Sequence, residues 1–226
     1  MVTELYLIRH GEAVSNVEPV IAGARSDRGL TDRGRHQAAL LEERLRAEEL
    51  AADVLYVSTL RRALETGEYV ARALGLPVRE SDALHELRPG SADGLTIAQW
   101  RAQADRDVPP GDPFTAFSPG GESWADFLLR AEAALTRLVA DHADQTVVAV
   151  CHGGVLEASF CLAFGLGASA QRVAFDPLNT SITHWRHRPS DGGSPWTLVT
   201  FNDAGHLAGR LPADSPHPAV PTPAAG

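Results

Sequence analysis

Leu5-Tyr6-Leu7-Ile8 is an apolar run of strand formers that leads into Arg9-His10-Gly11-Glu12, and Val2 to Ile8 is read as a strand. Two further strand-like stretches follow, Asp53 to Val57 and Thr146 to Val150. The latter is a continuous Val/Ala run, the pattern of a parallel strand buried on both faces. Between the first two, Ala38, Leu41 and Leu45 recur at helical spacing and predict a helix opening near Thr31-Asp32. A second helix is predicted after Ser58, whose hydroxyl is its expected N-cap. A longer one runs from about Ser123 to His142, with Trp124, Phe127, Ala131, Leu135 and Leu138 at helical spacing. An apolar helix continues from His152 to about Phe164, and Ser181 to Trp185 and Trp196 to Phe201 are the last predicted strands.

Alternation of this kind implies an α/β fold, a three-layer α/β/α sandwich around a mostly parallel sheet. Residues 81–120 break the pattern, being rich in Pro, Gly and Asp with one short helix around Thr96 to Ala104. They are read as an insertion over the sheet's edge, within a single domain spanning 1–211. Residues 212–226 hold five prolines and four alanines and predict a disordered tail.

The 226 residues suffice for a substantial core, and 44% hydrophobic with 22% charged is ordinary for a soluble globular protein. The N-terminus shows no secretory signal, and no apolar run approaches the roughly 20 residues that span a bilayer. Cys151 and Cys161 are too few for a disulfide framework. The cytoplasm is therefore the expected compartment. A net charge of −9 argues against a nucleic-acid or anionic-membrane partner. Symmetric dimers are the commonest assemblies, which makes a homodimer the default expectation.

The candidate chemistry lies at predicted strand ends, where α/β sheets bind ligands. Arg9 and His10 end the first strand, and Ser58-Thr59-Leu60-Arg61-Arg62-Ala63 follows the second. Leu84-His85-Glu86-Leu87-Arg88 opens the insertion, and Cys151-His152-Gly153-Gly154 follows the Val/Ala strand. Two histidines and at least two arginines thus come to one edge of one sheet. A histidine held beside a guanidinium suits attack on a phosphoryl group.

These segments resemble the histidine phosphatase superfamily, the phosphoglycerate-mutase-like fold, over the chain up to about Leu207. The markers are Arg9-His10-Gly11-Glu12 with Asn16, Leu30-Thr31 with Gly34 and Gln37, and Ser58-x-Leu60-x-Arg62-Ala63-x-x-Thr66. Glu86, His152-Gly153-Gly154, Asn179-Thr180-Ser181-Ile182-Thr183 and Phe201-Asn202-Asp203 continue the series. The resemblance implies that His10 is the nucleophile that becomes phosphohistidine and that Glu86 is the proton donor. It implies a phosphate pocket of Arg9, Arg62 and His152. Asn16 is a further expected phosphate donor, joined by backbone amides at Gly153 and Gly154, which open a helix.

Physical chemistry supports those roles. Arginine forks match phosphoryl oxygens bidentately, and neighbouring cations keep a histidine in its neutral, nucleophilic form. Arg62 is preferred over Arg61, which would point elsewhere on the helix. Thr66 is expected to pack or cap. His85 and Arg88 flank Glu86 and are candidates to touch the substrate beyond its phosphate. The chain departs from the family pattern at Cys151, where a serine commonly precedes His-Gly-Gly. It departs again over Arg88 to Gly94, which lacks the usual aromatic and glutamate.

Other signals carry less. A cysteine phosphatase needs an arginine six residues after Cys151, and that position is Glu157. Gly165-Leu166-Gly167 follows a helix, so it reads as a terminator and not a dinucleotide loop. His184 and His187 lack a third ligand and are expected at the surface. The expected protein is a metal-independent phosphomonoesterase acting on a small phosphate ester through phosphohistidine, with no cofactor. A phosphoglycerate mutase is the alternative, although mutases of the superfamily carry a longer insertion than the 65 residues between Glu86 and His152. A non-catalytic phospholigand-binding protein is the third reading, and it predicts loss of His10 or Glu86.

Overall fold

The computed structural model describes residues 2–103, 112–169, 175–189 and 195–210. Among the described residues six strands form one sheet: β1 (Thr3–Arg9), β2 (Val54–Ser58), β3 (Val78–Ser81), β4 (Thr146–Cys151), β5 (Ile182–His187) and β6 (Trp196–Asp203). The helices are α1 (Val14–Val17), α2 (Asp32–Ala47), α3 (Arg61–Leu74), α4 (Ile97–Gln103), α5 (Trp124–Asp141) and α6 (Gly153–Phe164). Strand order is β3-β2-β4-β1-β5-β6. The first four in that order are mutually parallel, and β5 runs antiparallel to both β1 and β6.

The alternation along each central strand builds two cores. Leu5 and Leu7 of β1 and Val147, Ala149 and Cys151 of β4 pack on one face, under Phe127, Ala131 and Leu135 of α5 and Val155 and Leu156 of α6. Ile8, Val148 and Val150 project to the other face, with Leu41 and Leu45 of α2 and Ala63 and Val70 of α3. Both faces are covered, which is why β4 reads as an unbroken apolar run. Each fully buried Leu, Ile, Val or Phe contributes about 1.5–3 kcal/mol.

Helix ends follow their caps. The Thr31 hydroxyl accepts from Gly34 N–H at 3.0 Å, and Ser123 forms a reciprocal box with Asp126 at the start of α5. Gly165 ends α6 in the left-handed region (φ 66°), as a terminator should.

Four expectations need correction or relocation. Leu60, and not Ser58, is the N-cap of α3. β3 was not anticipated, because its four residues are largely exposed and carry no apolar alternation. Ser81, read as the start of the insertion, closes that strand, and the segment after it folds against the loop following α1. There Ile21 and Leu95 are hydrogen-bonded, and the Asp93 carboxylate accepts from Gly23 and Arg25 N–H. His184 is not a surface residue: it is 9% exposed, stacked 4.0 Å from Tyr6 and paired with Glu4 at 2.6 Å. Ala104 and the expected tail 212–226 lie outside the described residues.

Candidate active site

Register sets the site. Arg9 of β1 lies opposite Cys151 of β4, and His10 N–H donates to the Cys151 carbonyl at 3.0 Å. The residues that follow, His10 and His152, therefore emerge side by side at the carboxyl edge, with ring centroids 5.2 Å apart. Both are buried, at 4% and 0% exposure.

His10 is held in one tautomer. Its Nδ1 lies 2.7 Å from the Gly11 carbonyl, which can only accept, so Nδ1 carries the proton and Nε2 the lone pair. Arg62 Nε donates to that Nε2 at 3.2 Å. Burial, then the Arg62 and Arg9 cations, push the His10 pKa well below the ordinary histidine value, leaving the imidazole neutral. The backbone around it is fixed: Gly11 N–H donates to Thr66 Oγ1 at 3.0 Å, and Asn179 Nδ2 donates to the His10 carbonyl at 2.9 Å. The turn is packed so closely on α2 that a Cβ at Gly34 would lie 2.0 Å from the Glu12 carbonyl oxygen.

The cations converge on the same edge. Arg62 is aimed by Asp27, whose Oδ2 accepts from Arg62 Nη1 at 3.0 Å and from Arg62 N–H at 3.2 Å. Arg61 points outward and pairs with Glu65. Arg9 donates to the Pro177 carbonyl, and its Nε is buried without a partner among the described residues. His152 Nε2 meets Ser58 Oγ at 2.7 Å. Burial, followed by Arg62, lowers the His152 pKa well below the ordinary value too.

Glu86 stands at the N-terminus of α6. Its Oε2 accepts from Gly154 N–H at 3.0 Å and its Oε1 from Leu87 N–H at 2.9 Å. A Cβ at Gly154 would lie 2.2 Å from Glu86 Oε1, so glycine is required for the carboxylate to sit there. Arg130 shapes this turn, donating to the carbonyls of Ala83, His85 and Glu86 while gripping Glu122. His85 is buried, donates Nδ1–H to the Glu86 carbonyl and lies 6.4 Å from the His152 ring.

The structure thus brings His10, Arg9, Arg62, His152, Glu86, Gly153 and His85 to one edge. Asn16 sits beside them, its Oδ1 accepting from Ala13 N–H and Asn179 Nδ2, which leaves its NH2 as the available donor. Arg88 is different: its guanidinium is engaged by Asp82 and Glu122. No hydrogen bond or ion pair joins it to the His10 group among the described residues. Asp27, Ser58, Arg130 and Asn179 were not anticipated as site-building residues. Cys151 is fully buried and its thiol is pushed up to about 12, which excludes it as a nucleophile.

A neutral imidazole whose Nε2 lone pair meets Arg62, with the Arg9 cation near it, at the carboxyl edge of a mostly parallel sheet defines an α/β enzyme of phosphoryl transfer. The chain belongs to the histidine phosphatase superfamily (branch 1), whose family model matches residues 5–204, and it is a phosphoric monoester hydrolase of that family. Phosphoglycerate mutase-like protein 4 of Arabidopsis thaliana is 32% identical over 208 residues, covering 90% of this chain and 86% of that protein. The metal-independent phosphoserine phosphatase of the same plant is 31% identical over 217 residues, covering 92% and 84%. Among solved structures, the mycobacterial glucosyl-3-phosphoglycerate phosphatase superposes with a TM-score of 0.74 at 29% identity, covering 89% of this chain and 99% of that one. No helix among the described residues is long and apolar enough to cross a membrane.

Proposed function

We propose that this chain hydrolyses a small phosphate monoester in two steps, through a phosphohistidine on His10. In the first step His10 Nε2 attacks phosphorus, the P–O bond to the alcohol breaks, and Glu86 gives its proton to the leaving oxygen. In the second, water attacks phosphorus and passes a proton to Glu86, while the P–N bond breaks and inorganic phosphate leaves. Arg9 and Arg62 neutralise charge on the equatorial oxygens, with donors from His152, Asn16 and the start of α6. These cations do the work a divalent ion does elsewhere, so the reading is metal-independent. The carrying observation is the Nδ1–H bond of His10 to the Gly11 carbonyl, which puts the lone pair on Nε2, where Arg62 Nε meets it at 3.2 Å.

A mutase would return the phosphoryl group to a second hydroxyl of the product. The short span between Glu86 and His152 favours water as the acceptor. Two relatives are named for phosphoserine and glucosyl-3-phosphoglycerate, both small esters that carry a carboxylate. That supports the same size class here, with His85 near the reacting groups.

The test is phosphate release from phosphoserine, 3-phosphoglycerate, sugar phosphates and nucleotides, with chelator present, in wild type and His10→Ala. Chelator-resistant release that falls by about three orders of magnitude or more in His10→Ala is expected. Wild-type protein quenched during turnover should carry one acid-labile phosphoryl group. Release that needs a metal, or that survives in His10→Ala, overturns the proposal. Isomerisation of phosphoglycerate without net phosphate release would establish the mutase instead.

A further inference from the structure

Ser58 ends β2 with a side chain that does not cap α3, and the hydroxyl of a fully buried serine needs another purpose. It lies 2.7 Å from Nε2 of His152, which is equally buried. Among the described residues the Ser58 hydroxyl has no acceptor for its proton other than His152 Nε2, the weak approach of Leu60 N–H at 3.5 Å being to its oxygen, so the proton points at the imidazole. His152 Nδ1, separated from Ser58 by the ring, is buried without a partner among the described residues. An unpaired polar atom in so enclosed a place calls for a ligand or a function.

We propose that Ser58 is a positioning residue whose hydroxyl fixes His152 as the Nδ1–H tautomer, so that the ring offers a donor, not a lone pair, to phosphoryl oxygen. The inference rests on the hydrolase reading for its purpose, though not for its detection. His152 is neutral beside Arg62 and so carries a single N–H. With that proton on Nε2, the bare Nδ1 would face an anion and repel it. A serine donating to Nε2 removes that option without adding charge. The sheet accounts for the pairing: β2 and β4 are neighbours in register, and Ser58 and His152 lie at their adjacent carboxyl ends.

The test is nitrogen-15 NMR of the imidazoles in the full chain, with His152 assigned from its loss in His152→Gln. Wild type should show His152 as Nδ1–H. Ser58→Ala should shift it toward Nε2–H and raise the inhibition constant for orthovanadate by about tenfold. KM should rise with it, while the thermal midpoint moves little and Ser58→Thr restores both tautomer and inhibition. A purely structural serine would change the midpoint and leave the tautomer alone. An Nε2–H signal in wild type overturns the proposal, and this spectrum decides even where Ser58→Ala does not fold. So does an Ser58→Ala protein with unchanged tautomer and vanadate inhibition. The spectrum requires no turnover, so its failure is distinct from failure of the hydrolase reading.

Discussion

The carboxylate of Asp27 lies 3.0 Å from Nη1 of Arg62, in a pair whose side chains are only 2% and 5% exposed. The same oxygen takes the Arg62 backbone N–H, so Asp27 both anchors the start of α3 and orients the guanidinium toward His10. Removing one member of a buried pair leaves the other charge uncompensated, at a cost of about 3–5 kcal/mol. Asp27→Ala should lose stability of that order in denaturant unfolding, and Asp27→Asn should lose less. Both should bind orthovanadate more weakly than wild type. Wild-type affinity in a folded Asp27→Ala protein would show that Arg62 holds its place unaided.

The two glycines after His152 differ in what surrounds them. A Cβ on Gly154 would lie 2.2 Å from Glu86 Oε1 and 3.0 Å from Phe127, whereas one on Gly153 would meet only Arg9 Nε at 3.9 Å. Alanine is the better helix former by about 1 kcal/mol, so neither change should unfold the protein through propensity. Gly154→Ala should displace the Glu86 carboxylate and lower kcat by about a hundredfold. Gly153→Ala should stay close to wild type. Equal kcat values for the two variants would remove Glu86 placement as the role of Gly154.

Most of this site was legible in the sequence because its chemistry lies at strand ends, and the strand ends are legible. The apolar runs into Arg9 and Cys151 locate His10 and His152, and a parallel pairing of those strands places them together. Asp27 and Arg130 were not legible, because each acts through a contact made only in the fold. Asp27 reads as a polar loop residue until α3 docks beside it, 35 positions along the chain. Arg130 reads as the polar face of α5 until the carbonyls of 83, 85 and 86 arrive against it. Ser58 was misread for the opposite reason: a serine before a helix matches a cap so well that the local rule hid the long-range partner, His152.

Arg88 and Arg130 both touch Glu122, yet they should behave differently when changed. Arg88 spans Asp82 and Glu122 with its side chain 38% exposed, and such pairs contribute about 0–1 kcal/mol. Arg130 is 15% exposed and holds three carbonyls of the turn that carries Glu86. Arg130→Lys cannot reproduce that fork and should lower kcat about tenfold with little change in KM. Arg88→Ala should leave kcat near wild type, with any effect confined to KM. A kcat loss in Arg88→Ala as large as in Arg130→Lys would count against this division of labour.

Acid should destabilise the protein through its buried histidines. His206 Nε2 lies 2.9 Å from Thr180 Oγ1, and burial, then Arg44, lowers its pKa to about 4. His10 and His152 are shifted in the same direction, also by burial first. In the unfolded chain each would titrate near 6.5, so below that pH the unfolded state binds more protons than the folded state. Stability then rises with pH in this window, and equivalently falls as the pH is lowered from 6.5. Each such histidine adds up to about 1.4 kcal/mol per pH unit to that slope. For His206 the window closes near 4, where the folded state takes up its own proton. Carboxylates that lose their partners add to the same trend, so the informative quantity is the difference between wild type and His206→Gln. Unfolding free energies measured across the window should fall more gently in His206→Gln, whose side chain does not titrate. Parallel curves for the two proteins would show that His206 does not contribute to the acid sensitivity of the fold.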